Sequence, residues 1–327
     1  MKQLILVLSI CFFGLTSCNK KDSIIVMSYN VENLFDTIND PLIDDEEFTP
    51  ESKKEWTTER YNKKLTDIAR VIANIDSTKL PAIVALQEIE NRTVLEDLVK
   101  QKSLESSNYQ IVHVDSPDKR GIDVALLYNP SIFKFKNFET LAVEIEFNTR
   151  DILHVTGNLS GNSFHFFVNH WPSRIGGLQE SEGYRATAAK VLKNSINRIL
   201  DNDPKANIVV LGDMNDEPSN KSLYNVLNAK EVTSGAELVN LMLAKHKAKQ
   251  GTYKYRDTWN MLDNIVVSQS LLDTKGLNVV DSTGYIFHKP FMEYTNDSNE
   301  KIPNRTYGGP NYYGGVSDHF PIYMILK

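Results

Sequence analysis

A single-domain α/β fold is what the sequence predicts, on three observations. Short buried runs such as Ile208-Val209-Val210-Leu211 have strand length and end in polar clusters. Amphipathic helical segments stand between them, above all Thr58 to Ile75 and Gln179 to Leu200. No internal repeat, low-complexity linker or second boundary divides the chain, whose 327 residues suit one large domain or two ordinary ones. The most informative run closes at Gly212 and delivers Asp213, Met214, Asn215 and Asp216, followed by Glu217-Pro218. The C-terminal edge of such strands is where α/β folds bind ligands. Taken alone, the string from Asn207 to Pro218 suits an acidic strand-end turn equally well.

The chain opens with Met1-Lys2 and an apolar run from Leu4 to Leu15, a signal-peptide core too short to span a bilayer comfortably. Leu15-Thr16-Ser17-Cys18 resembles the bacterial lipobox, which implies removal of residues 1–17 and acylation of Cys18. Several acyl chains anchor firmly where one is marginal, each buried methylene contributing about 0.8 kcal/mol. Plain secretion with an incidental cysteine is the alternative. Residues 18–23 then read as a tether and 24–327 as the domain. The expected location is the cell envelope of a bacterium, on the periplasmic or surface face of the outer membrane. Membrane contact comes through the anchor only, and the protein is expected to be a monomer. Cys11 and Cys18 are the only cysteines, so no intramolecular disulfide and no cysteine-ligated zinc site can form beyond residue 18. The net charge of −6 lacks the basic signature of non-specific nucleic-acid binders.

Ser23 to Tyr29 reads as the first strand and ends in Asn30-Val31-Glu32-Asn33. Asp44-Asp45-Glu46-Glu47 reads as a solvated loop, with a calcium site or substrate-sensing flap as the rival. The helix from Thr58 to Ile75 carries Tyr61, Leu65, Ile68, Ile72 and Ile75 at steps of three and four. Ala82 to Leu86 is a buried strand ending in Gln87-Glu88-Ile89-Glu90-Asn91, and Thr93 to Gln101 a short helix. Strands follow at Tyr109 to Val114 and Gly121 to Tyr128, with Asp123 read as structural rather than catalytic. Ile132 to Phe147 alternates as an exposed antiparallel ribbon does. Ile152 to Leu159 and Phe164 to Val168 flank the turn Ser160-Gly161-Asn162-Ser163, and the second ends in Asn169-His170-Trp171-Pro172. After the long helix and the strand Ile208 to Leu211, a helix is placed near Ser222 to Leu227. Glu231 to Gln250 is assigned only as helix and loop. Thr252 to Trp259, Leu262 to Ser268 and Phe320 to Leu326 are the remaining strands.

Strand ends thus carry Asn30, Glu88, Asn169-His170, Asp213-Asn215 and Asp263, and Ser317-Asp318-His319 precedes the last strand. Each alone is explained by a turn or a structural histidine. Six placed alike converge on one sheet edge. The strings SYNVENLFD, LQEIEN, NHWPSR, LGDMND, LDNI and SDHFP closely resemble the endonuclease/exonuclease/phosphatase superfamily, and they stretch from Ser28 to Pro321. The resemblance implies a deoxyribonuclease-like four-layer sandwich, two packed mixed β-sheets flanked by helices. It also implies hydrolysis of phosphate esters with a divalent cation, usually Mg²⁺, with Mn²⁺ or Ca²⁺ as alternatives.

Carried over by position, Glu88 is implied as the main metal-binding carboxylate, assisted by Asn30 and Asp318, since hard oxygens suit such ions. His319 resembles the family's base, oriented by Asp263. Asp213 and Asn215 are implied to hold the attacking water and the phosphorane oxygens. Which of His319 and Asp213 activates the water stays open. His170 matches a second histidine of the deoxyribonuclease-like and sphingomyelinase-like branches, where it binds a phosphate oxygen or protonates the leaving group. Asn169 is grouped with substrate contacts. Arg174 and Arg185 are candidate phosphate clamps, with salt bridging as the rival reading. The glycine- and tyrosine-rich segment 307–315 reads as a turn in preference to a base-stacking platform. The leading functional expectation is an extracytoplasmic nuclease acting on DNA or RNA. The alternative is a phosphatase or phospholipase-type enzyme, sphingomyelinase-like or acting on inositol phosphates. The membrane-inserting hairpin that a sphingomyelinase needs has no clear candidate, because Phe133, Phe135 and Phe138 suit a sheet core equally well. A non-catalytic protein on a degenerate fold conflicts with the retention of Glu88, Asp213, Asp263 and His319.

Overall fold

The computed structural model describes residues 23–273 and 276–327. The predicted signal sequence, Cys18 and the tether up to residue 22 lie outside the described residues. Six strands make the first sheet: β1 (Ile24–Leu34), β2 (Ile83–Ile89), β3 (Gln110–His113), β4 (Asp123–Tyr128), β14 (Tyr285–Ile286) and β19 (Ile322–Leu326). Their order is β14-β19-β1-β2-β4-β3. The second contains β5 (Phe133–Leu141), β6 (Ile152–Leu159), β7 (Asn162–His170), β8 (Asn207–Asp213), β9 (Ala229–Lys230), β10 (Leu238–Asn240) and β13 (Asp263–Ser268). Its order is β5-β6-β7-β8-β13-β10-β9.

Side-chain alternation stacks the layers. On β1, Ile25 and Met27 pack with Leu65, Ile68 and Ile72 of α1 (Thr58–Ala73), near α2 (Arg92–Val99). Their neighbours Ile24 and Val26 point the other way, into a core shared with Phe164, Phe166, Val209 and Leu211 of the second sheet. On β8 the outward set, Ile208 and Val210, meets Ala188, Leu192 and Ile196 of α3 (Glu182–Asn202). Central strands buried on both faces therefore read as unbroken apolar runs. The result is four layers, helix, sheet, sheet, helix. The side chains of Thr57 and Asn91 cap the two helices of the first layer, accepting from Arg60 N and Val94 N.

The topology collects the polar strand ends. β1 and β2 are parallel, as are β7 and β8, so Asn30, Glu88, His170 and Asp213 emerge at one edge. β13 and β19 run antiparallel to these neighbours. Asp263 therefore stands at the start of its strand, opposite Asp213, rather than at its end as the sequence suggests. His319 precedes β19 at the same edge.

Several segments differ from expectation. Thr252 to Trp259 is a hairpin, β11 (Tyr253–Tyr255) and β12 (Thr258–Asn260), turned at Arg256 with φ +51. β5 ends at Leu141, short of Phe147; Phe133 is buried, whereas Phe135 and Phe138 are partly exposed. The uncertain stretch 231–250 supplies β10 and the short α4 (Leu243–Lys247), and Ser222–Val226 is a π-helical turn. Two further hairpins follow, β15 (Glu293–Thr295) with β16 (Lys301–Pro303) and β17 (Tyr307–Gly308) with β18 (Asn311–Tyr312). The acidic loop is only partly solvated, since Asp45 is buried and accepts from Asp40 N. Among the described residues no helix is long and apolar enough to cross a membrane.

One polar pair sits away from that edge. His154 Nε2 lies 3.0 Å from His165 Nδ1, and the His154 ring stacks on Phe167. Burial, with the neighbouring His154, lowers the His165 imidazole to about 4. Between that value and the unfolded value of about 6.5, the unfolded chain binds a proton that the fold does not. Stability contributed by the neutral ring is therefore present above the unfolded value and lost on acidification. Allowing for the ring's partial exposure, the loss amounts to about 1 kcal/mol. The unfolding free energies of wild type and His165→Gln, from urea titrations at about pH 7 and pH 5, should converge by that amount. A difference that does not change with pH would refute the assignment.

Candidate active site

The site begins with two irregularities in the first sheet. β2 bulges at Glu88, where pairing with β4 skips from Gln87↔Val124 to Ile89↔Asp123. Glu88 has φ +66, a left-handed conformation uncommon outside glycine. The bulge turns its carboxylate toward β1, where Asn30 Nδ2 donates to Oε1 at 3.1 Å and Asn33 N to Oε2 at 2.9 Å. Asn30 Nδ2 also donates to Asp213 Oδ2 at 3.0 Å, and its Oδ1 accepts from Glu32 N. Asn30 thus ties a carboxylate of one sheet to a carboxylate of the other.

On the second sheet Gly212 lets β8 press against β7. It has φ +139, and a Cβ there would lie 2.0 Å from Asn169 O. Asp213 follows, its Oδ1 accepting from Asn215 N at 2.8 Å. Met214 points into the helix-side core, away from the site. His319 Nδ1 lies 2.7 Å from Asp263 Oδ2, and its Nε2 lies 3.8 Å from Asp213 Oδ2 and 4.0 Å from Asp318 Oδ1. The ring is positioned by Tyr253, centroids 4.9 Å apart, and by Ser317 Oγ, which accepts His319 N and donates to Asn30 O. Opposite it, His170 Nε2 stands 3.9 Å from Glu88 and 3.8 Å from Asp213.

These groups perturb one another. Burial would lower the His319 imidazole, but the carboxylates of Asp263, Asp213 and Asp318 outweigh it and hold the ring well above its ordinary value. Burial raises Asp213, with Asp263 adding and His319 opposing. His170, buried and near Arg150, is pushed well below its ordinary value and is neutral. One imidazolium and one neutral imidazole therefore flank the same carboxyl group.

The donor set fits a hard divalent cation. Glu88, Asp213, Asp263 and Asp318 present carboxylate oxygens, and the Glu88 side chain keeps 17% exposure. The buried Asp263 Oδ1 and His170 Nδ1 have no hydrogen-bond partner. Asp213, Asp263 and His319 offer ligand atoms within 4.8 Å of one another, a candidate metal site. The His319–Asp263 contact of 2.7 Å is a charge-assisted hydrogen bond that fixes the ring through Nδ1.

Other predicted residues take supporting places. Asn169 is buried, donating to Phe167 O and accepting from Trp171 Nε1, so it braces the strand end rather than facing substrate. Arg174 donates to Asn215 O, Asn260 Oδ1 and Asn220 Oδ1, which fixes the backbone at Asn215. Arg185 is fully buried, with Nε 2.8 Å from Asp216 Oδ1 and the other nitrogens bound to Ser181 Oγ, Ser173 O and Leu178 O. With no donor directed to solvent, Arg185 is an interior ion pair and not a phosphate clamp in this structure. Asp216 is its buried partner. Asp123 binds His113 and Ser116 N, a structural role. Tyr307 donates to Lys54 O, and Arg60 stacks on Tyr312, so these tyrosines of the glycine-rich segment are engaged within the fold.

Sequence reasoning missed a buried pair behind Asp318. Lys64 Nζ donates to Thr306 Oγ1 and Val316 O, and Glu32 accepts from Thr306 N and Tyr307 N. Burial lowers the lysine and raises the glutamate. Together they pin the loop that carries Asp318 and His319. A lysine on the otherwise apolar face of α1, one step before Leu65, was the available signal. Arg150 was also missed; it donates to His170 O and Trp171 O and pairs with Asp118 at 2.8 Å.

Solved structures with the same architecture include D. rerio TDP2 complexed with single-strand DNA product, at 17% identity and TM-score 0.58, covering 93% of this chain and 99% of that one. A mannosyl-6-phosphatase from Bacteroides thetaiotaomicron is similar at 16% identity and TM-score 0.57, with 93% and 99% covered. The human Nocturnin catalytic domain with bound sulfate has 18% identity and TM-score 0.55, with 93% and 94% covered. At these identities the likeness is one of fold, and that fold is the predicted sandwich of two mixed sheets with flanking helices. A search of curated proteins gave no match. Residues 25–327 match the Endonuclease/Exonuclease/phosphatase family, and the chain belongs to that family, a phosphoesterase built around a buried cluster of carboxylates and histidines.

Proposed function

We propose that the protein hydrolyses phosphodiester bonds of DNA or RNA with a divalent cation, Mg²⁺ foremost. The observation that carries the reading is the pair of unlike imidazoles on either side of Asp213, each within 4 Å of its Oδ2. In this reading Asp213 takes the proton of the attacking water, and the imidazolium of His319 gives a proton to the departing oxygen. A bound cation would supply neutralisation of the phosphate and of the leaving alkoxide; Glu88 and Asp318 would hold it, while Asn30, expected as a third ligand, turns its Nδ2 to Glu88 and Asp213 and orients those carboxylates instead. Asp263 keeps the His319 imidazolium in one orientation through Nδ1. Asn215, its backbone held by Arg174 and its Nδ2 bonded to Trp171 O at 2.9 Å, has one amide hydrogen left for a phosphate oxygen, and neutral His170 offers another hydrogen bond.

A phosphatase acting on a small phosphoester is the second reading. The mannosyl-6-phosphatase structure supports it, being as similar to this chain as TDP2 is. The protein from Asn19 onward, incubated with Mg²⁺, Mn²⁺ or Ca²⁺, should cleave plasmid DNA or RNA. Sphingomyelin, inositol phosphates, mannose 6-phosphate and bis-nitrophenyl phosphate serve as competitors. Hydrolysis of the small esters with no nucleic-acid cutting would eliminate the nuclease reading. Export and anchoring through Cys18 complete the proposal, placing a monomeric enzyme where extracellular nucleic acid is met. Fatty-acid labelling that persists in Cys18→Ala would eliminate the anchor.

A further inference from the structure

A second cluster of metal-ligating side chains lies outside the active site, at the end of β3 and the start of β4. His113 closes β3, Asp123 opens β4, and Asp115 stands in the loop between them. Ligand-capable atoms of the three lie within 4.8 Å of one another. We infer that this cluster binds a transition-metal ion of the Zn²⁺ type, distinct from the catalytic cation, and that the ion fastens the loop between Asp115 and Asp123. The inference concerns a separate site and holds whichever phosphoester the enzyme hydrolyses.

Three observations carry it. The first is the state of the imidazole. Asp123 Oδ2 lies 3.1 Å from His113 Nε2, and Asp123 Oδ1 accepts from Ser116 N at 2.7 Å. An ionised carboxylate only accepts, so in the neutral ring Nε2 carries the proton and Nδ1 the lone pair. Metal-ligating histidines have this arrangement, one ring nitrogen donating to a carboxylate and the other turned to the ion. The second observation is where the lone pair is directed. The His113 side chain is only 2% exposed, and its Nδ1 faces Asp115 Oδ1 at 3.9 Å, too far for a hydrogen bond. Two acceptors facing each other are relieved by a cation between them. Zinc lies about 2.1 Å from such atoms, so one ion spans up to about 4.2 Å between a pair of them. The Asp115 side chain, 85% exposed, has room to adjust to the ion and leaves water access on its outer side. The third is the mixed donor set, since imidazole with carboxylate suits Zn²⁺ better than Mg²⁺ or Ca²⁺, which take oxygen ligands.

The fastening follows from chain order. Asp115 and Asp123 bracket residues 116–122, and that loop carries Asp118, whose Oδ2 pairs with Arg150 Nη1 at 2.8 Å. Arg150 in turn donates to His170 O and Trp171 O. An ion between His113 and Asp115 holds one end of the loop, and Asp123 holds the other through the same imidazole. The brace behind the His170 strand end therefore rests on a loop closed by metal.

Calorimetric titration of the full-length, chelator-treated protein with Zn²⁺, in excess Mg²⁺, reads the site directly. Wild type should bind one Zn²⁺ more than His113→Ala. Asp115→Asn should bind that ion at least about 10-fold more weakly, the loss that disturbing even an outer partner brings. Glu88→Gln, altered in the catalytic cluster, should retain it. Because Asp115 is exposed, Asp115→Asn should keep the fold, which an unchanged urea midpoint without metal verifies. Trypsin gives a second readout, since Lys119 and Arg120 are exposed in the loop. Zn²⁺ should slow cleavage after these residues by about 10-fold in wild type and leave the Asp115→Asn rate unchanged. Zinc isotherms that coincide in wild type, His113→Ala and Asp115→Asn overturn the inference and leave an imidazolium held between two carboxylates. Loss of the ion in Glu88→Gln assigns it to the catalytic centre and also overturns the inference. Equal zinc protection in wild type and Asp115→Asn overturns the fastening role.

Discussion

Replacing His319 by alanine is expected to lower kcat by about 10³-fold, within the range that acid–base groups contribute. The ring is buried and holds Asp263 through Nδ1 at 2.7 Å while its Nε2 faces Asp213 at 3.8 Å. No other described side chain presents an imidazole to that face of Asp213, since His170 approaches from the Glu88 side. Asp263→Asn keeps the volume but removes the charge that supports the imidazolium, and should cost about 10²-fold. Steady-state kinetics on the best substrate, with urea midpoints to confirm folding, measure both. Removing the ring also leaves Asp213 and Asp263 facing each other without a cation between them, so a lower midpoint for His319→Ala is part of the expectation. A folded His319→Ala protein working at the wild-type rate would eliminate the proposed mechanism.

The largest stability effect is expected at Arg185. Its Nε–Asp216 Oδ1 contact of 2.8 Å is a close ion pair not aligned as a hydrogen bond, and both residues are buried. Asp216 Oδ2 accepts from Ser222 Oγ, and burial still raises its carboxyl group despite the arginine. Arg185→Ala leaves that carboxyl without its cation and removes donors from Ser173 O, Leu178 O and Ser181 Oγ. A loss of about 3–5 kcal/mol follows from breaking a buried pair on one side. The double replacement Arg185→Met with Asp216→Leu should lose markedly less, because neither charge is then stranded. Denaturant titration separates this role from substrate binding. A phosphate clamp would raise KM and leave the midpoint alone, whereas an interior pair lowers the midpoint. An unchanged midpoint in Arg185→Ala would restore the clamp reading.

Arg185 also shows where sequence reasoning stops. In Arg174 and Arg185 the sequence shows two cations after NHWP, and nothing in the string distinguishes a guanidinium aimed at solvent from one turned inward. The distinction depends on Asp216, which reaches Arg185 only because β8 and α3 pack in one layer pair. Glu88 is the opposite case. It stands out in LQEIEN as a strand-end carboxylate, yet its presentation depends on a bulge and a φ of +66 that no periodicity reveals. The short β10 and the hairpins between residues 253 and 312 were illegible or misread for a simpler reason: two or three residues carry no period.

What the sequence by itself determined is a single α/β domain, its buried central strands and the set of polar strand ends; the layering came only through the family resemblance. Those follow from local chemistry, because apolar runs, helical spacing and strand-terminal Asn, Asp, Glu and His residues are written in neighbouring positions. Tertiary structure alone decided which ends meet, which arginines are interior, and how charge is shared around Asp213. Asn30, Glu88, Asp213, Asp263 and His319 span the chain from one end to the other. Parallel pairing of β1 with β2 and of β7 with β8, with β13 and β19 reversed, gathers them at one edge. Their pKa values and hydrogen bonds are properties of that gathering, since each carboxyl and imidazole is shifted mainly by burial and by the others.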